Sequence, residues 1–121
     1  MDRLAATGQT ESKAWNDWVN GTITQDQLVQ TLNASLNETR DITADLRALT
    51  PPENWKEAHA AAVVAFEAWV DAGELAVTCA QTGDLDSEDC LAHDQAIEKA
   101  EAAQAAANAK VDEANREAGA E

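Results

Sequence analysis

Breakers are scarce in this chain. Two prolines and five glycines in 121 residues are too few for the many tight turns of a β-sandwich or barrel, and no run of alternating β-branched residues occurs. Positive charge is also thin: 8 Lys plus Arg face 23 Asp plus Glu, a formal net charge of −15. Such a surface repels phosphate backbones and anionic lipids, so nucleic acid and membrane surfaces are not expected partners. The longest wholly apolar run, Ala60 to Phe66, falls far short of the ~20 residues that span a bilayer, so no membrane span is expected. The amino terminus, Met-Asp-Arg-Leu-Ala-Ala-Thr-Gly-Gln-Thr, shows no basic region followed by an apolar stretch, and an exported chain would therefore be a mature form.

What the chain does have is alanine and helical periodicity, which predict an all-α fold. The expected architecture is a single domain over 1–121, an up-down antiparallel bundle of four helices at about 3–20, 24–49, 52–81 and 87–116, the first shorter. In the first, Leu4, Ala14, Trp15, Trp18 and Val19 can share a face, and Gly8 could delay the start to Thr10. Asn20-Gly21 reads as a stop. Thr24-Gln25-Asp26-Gln27 has the form in which a cap and its N3 partner satisfy each other's backbone donors. The second helix then carries Leu28, Leu32, Leu36, Ile42, Leu46 and Leu49 on a seam.

Thr50-Pro51-Pro52 ends that helix, because proline disfavours helical geometry before it and supplies no backbone donor. Pro52-Glu53 can open the third, whose face reads Trp55, His59, Ala62, Val63, Phe66, Trp69, Val70, Gly73 and Val77. Ser87 or Asp86 can cap the fourth, with Leu91, Ile97, Ala100, Ala107, Val111 and Ala114 inward and Glu98, Glu101 and Glu113 elsewhere. Poor in large apolar groups, this helix should pack closely through alanines and fray after about Asn115.

Cys79 and Cys90 flank the hairpin joining the last two helices, where a disulfide can close. Closure of so short a loop would stabilise the fold by about 2–3 kcal/mol and point to an oxidising compartment. Two buried free thiols are one alternative. The other is a metal site of Cys79, Cys90 and His93, with Asp89 or Asp86 completing it, one ligand short of a recognisable zinc motif.

The acidic turn Asp84-Leu-Asp86-Ser-Glu88-Asp89 begins like a calcium loop but has Asp89 where glycine is needed and Gln95 where a bidentate glutamate is needed. A capped, solvated turn is expected there. His59 and His93 should stand roughly 27 Å apart along the bundle, too far to share a metal, and each is expected to be a boundary or core residue. No Glu-x-x-His pair, nucleophile elbow or phosphate loop occurs, so neither catalytic residues nor a cofactor are expected. The four tryptophans are expected to fill an alanine-rich core. Three glycosylation sequons, Asn20-Gly-Thr, Asn33-Ala-Ser and Asn37-Glu-Thr, would matter only in a eukaryotic secretory context, and since two lie within a predicted helix they read as incidental.

The order Trp15, Trp18, Asn-Gly-Thr-Ile-Thr at 20–24, a leucine-spaced helix, Leu49-Thr-Pro-Pro52 and a helix carrying His59 resembles small alanine-rich helical-bundle proteins, exported or lipid-anchored, of bacteria and archaea. The resemblance covers roughly residues 15–80. It implies an envelope or extracellular setting and transfers no catalytic position; the anchor cysteine such proteins often carry at the mature terminus is missing.

The function expected is that of a non-enzymatic exported or cell-envelope module, acting by protein binding, self-association or as a structural element. The alternatives are a ligand-binding sensory portion of a larger receptor, with a small molecule among the tryptophans, and a metal-binding bundle. The acid bias also suggests a haloarchaeal or high-GC bacterial source.

Overall fold

A computed structural model describes the backbone of residues 2–120 and the side chains of residues 8–119. It contains four helices, α1 (Asp2–Val19), α2 (Gln25–Ala48), α3 (Lys56–Thr82) and α4 (Glu88–Ala120), with a single 3-10 turn at Glu53–Trp55 before α3. The described residues contain no strand. Leu4, expected on the inner face of α1, lies outside the described side chains.

Each corner has a local cause. Gly21 takes φ +78°, a left-handed conformation that costs glycine little, and turns the chain out of α1. Thr24 then caps α2: its hydroxyl accepts from the Gln27 amide at 3.1 Å, and the Gln27 side chain accepts from the Thr24 amide at 2.8 Å. The α2 end at Ala48 precedes the two prolines, with Leu49 already extended at ψ 141°. Gly83, at φ +68°, closes α3.

Helix α3 has two working seams side by side. Toward α2, Val77 and Ala80 join Ala76 in a buried cluster with Leu28, Leu32 and Leu36, over which Ala14, Trp15 and Trp18 of α1 pack. Toward α4, the buried positions Ala58, Ala65, Ala72 and Cys79 recur every seven residues, and α4 answers with Ala100, Ala107 and Ala114 at the same interval. A seven-residue repeat of small side chains keeps two helices close along their length. The pair is antiparallel, tied by Cys79 to Cys90 at one end and by Lys110 Nζ to Glu57 Oε2 at 3.4 Å at the other. Helix α1 rests on α2 and reaches α4 through Trp15, whose ring stacks on His93 with centroids 6.0 Å apart.

Five expectations change. Val19 is 65 % exposed and Leu49 is 61 % exposed; the first is the last residue of α1 and the second has left α2. Leu91 is 58 % exposed, because the neighbouring Cys90 faces inward and the next helical position lies 100° around. Helix α4 continues past Asn115 to Ala120, carried by good helix formers such as Arg116, Glu117 and Ala118. Nor does Gly8 delay α1, which includes it.

Candidate functional site

The two cysteines sit at the closed end of the α3–α4 hairpin, 2 % and 3 % exposed. Their Cα atoms are 4.6 Å apart and their sulfurs are bonded to each other. Cys79 holds the last place in the α3 alanine repeat, so the same spacing that brings the helices together brings the thiols within reach. The turn between is held by its own polar groups. Thr82 Oγ1 donates to the Cys79 carbonyl at 2.7 Å and accepts from the Asp84 amide at 3.1 Å. Asp84 Oδ1 accepts from the Asp86 amide at 2.9 Å, and Ser87 Oγ accepts from the Cys90 amide at 3.2 Å, capping α4.

A second device at this end is absent from any local sequence pattern. Gln25, the first residue of α2, sends Nε2 across to the Ala80 and Gln81 carbonyl oxygens at 2.9 and 3.0 Å. Those are carbonyls of the last turn of α3, beyond which no helical turn continues to supply amide donors; the Ala80 oxygen is shared with the Gly83 amide at 3.2 Å. A residue on one helix thus caps another, 55 positions away.

The metal candidate loses its thiolate donors here, because both sulfurs of Cys79 and Cys90 are committed to each other. His93 is stacked on Trp15, and burial pushes its pKa down, with Asp94 pulling the other way. Among the described residues no three His, Cys, Asp or Glu side chains gather as a metal site. His59 is elsewhere: its Nε2 donates to the Leu46 carbonyl at 2.7 Å, clamping α3 to the end of α2.

The tryptophans do not converge. Trp15 and Trp18 meet edge to face with centroids 5.9 Å apart. Trp69 Nε1 donates to Gln104 Oε1 at 2.9 Å, about 16 Å along α4 from His93 by the helical rise. Trp55 lies in the 3-10 turn at the opposite end of α3 from the disulfide.

Open grooves lie between the helices. One of about 460 Å³ between α3 and α4 is lined by Asp71, Glu74, Leu75, Ala96 and Lys99. Another of about 280 Å³ between α2 and α3 runs beside Arg40 and Arg47, which pair with Glu74 at 3.5 Å and Glu67 at 3.0 Å. Both are lined by side chains of mixed charge. No described helix is long and apolar enough to cross a membrane. The chain matches no protein family, no curated protein and no solved structure.

Proposed function

We propose that this protein is a non-enzymatic helical-bundle module of the cell envelope or extracellular space, working by contact with another protein, with a second copy of itself, or as a structural element. The disulfide between Cys79 and Cys90 carries the reading. A buried cystine at a hairpin end persists where thiols are oxidised and is rare in reducing cytosol. The alanine seam and the two cross-helix clamps, Gln25 and His59, support a rigid body whose surface does the work. The resemblance of residues 15–80 to exported alanine-rich bundles points the same way.

The receptor alternative needs a cavity among the tryptophans. Instead Trp15 packs on Trp18 and His93, Trp69 is hydrogen-bonded to Gln104, and Trp55 lies at the far end of α3, which favours the contact module. Localisation is tested by fractionating the source cells and alkylating thiols before lysis. The cystine-containing protein is expected in the envelope or medium; a cytosolic pool with both thiols alkylated would overturn the reading. The binding role is tested by crosslinking in intact cells, with one defined partner or a homodimer expected.

A further inference from the structure

Residues 18–37 carry a single charge, Asp26, in a chain where 26 % of residues are charged. The acceptor asparagines of all three Asn-x-Ser/Thr sequons fall inside that stretch, and the third sequon runs on through Glu38 to Thr39. Asn20, Asn33 and Asn37 are each exposed. Asn20 stands at the α1–α2 corner, while Asn33 and Asn37 stand one turn apart on the outer face of α2, beside exposed Gln30. Their partner hydroxyl residues, Ser35 and Thr39, point the other way and are buried at 6 % and 5 %.

We propose that these exposed asparagines bear N-linked sugar. The inference rests on the exported reading. Placement within α2 is no obstacle when transfer precedes folding, since a sequon is then met as flexible chain; folding afterwards must only leave the acceptor nitrogen outside, as it does at all three positions. In the transfer, Asn Nδ2 bonds to the anomeric carbon of a sugar carried on a polyprenyl phosphate. The carbon–oxygen bond to that phosphate breaks, the lipid phosphate leaves, and the amide proton passes to the transferase. This chain is only the acceptor.

The test uses protein recovered from its natural source, digested without reduction and mapped by mass spectrometry. Hexose or hexosamine increments are expected on the peptide with Asn20 or on that with Asn33 and Asn37. For a modified Asn20, the Thr22→Ala variant expressed in the same cells is expected to lose its increment completely; retention would mean the sugar is not sequon-directed and would overturn the assignment. Three bare asparagines on protein with an intact Cys79–Cys90 bond would overturn the glycan and leave export standing. Three bare asparagines with both thiols free would overturn both.

Discussion

A Cβ added at Gly73 would stand 2.9 Å from Leu36 Cδ1, inside a buried contact between α3 and α2. Alanine gains up to about 1 kcal/mol of helix propensity over glycine, but overpacking a fitted core costs about 1–3 kcal/mol. Gly73→Ala is therefore expected to lower the urea midpoint, and Leu36→Val in the same chain to recover part of the loss. Two titratable side chains near α1 act in opposite senses. Burial lowers the pKa of His93, so its protonation favours the unfolded chain: the stability it permits is complete above the unfolded value of 6.5 and is lost as pH falls through that value toward the lowered folded one. Burial raises the pKa of Glu11, so the fold resists its ionisation: that stability is present below the unfolded value of 4.5 and is lost as pH rises through the raised folded one. Denaturation of His93→Gln is expected to depend less on pH between 5 and 7 than that of the parent, and Glu11→Gln is expected to be the more stable chain at pH 7. Equal pH slopes for parent and His93→Gln would remove His93 from the account.

At the scale of elements, the corners were legible and the α3–α4 seam only half so. The Thr24 capping box, the proline corner and the Ser87 cap follow from side-chain chemistry within four residues, and each is present. Alanine is different, because it is at home both inside and outside a helix. Ala58, Ala65 and Ala72 are buried while Ala60, Ala102 and Ala106 are exposed, and only the partner helix decides which. The larger side chains Val70 and Val77 mark the α2 side of α3, whereas the buried repeat on the α4 side is alanine and Cys79. The Gln25 cap and the Arg40 and Arg47 pairs were invisible for the same reason: they join positions set together by topology and not by spacing. Ala107→Leu is expected to destabilise by about 1–3 kcal/mol, whereas Ala106→Leu, one position around the helix and exposed, should be near neutral; equal effects in a thermal melt would sink the seam. Reduction of the disulfide is expected to remove about 2–3 kcal/mol, read as a lower denaturant midpoint with reductant.

For the whole molecule, charge is the dominant feature. With a net −15, self-repulsion opposes the compact state, and salt should relieve it. Melting temperature is expected to rise between about 0.1 and 1 M sodium chloride, where the Debye length falls from ~10 to ~3 Å; a flat response would count against adaptation to high salt. The function is the least legible layer, since Thr24, Gln25, His59 and Ser87, the polar side chains with the clearest geometry, cap and clamp the chain's own helices. The disulfide has one further consequence, mechanical in kind. Tension applied between Lys56 and Ala120 would peel the hairpin apart from its open end, parting Glu57 from Lys110 first and then each alanine pair in turn. The opening stops at the cystine, and the ten residues between Cys79 and Cys90 never feel the load. Single-molecule extension should therefore fall short of the full contour by that loop, and lengthen by it when reductant is added.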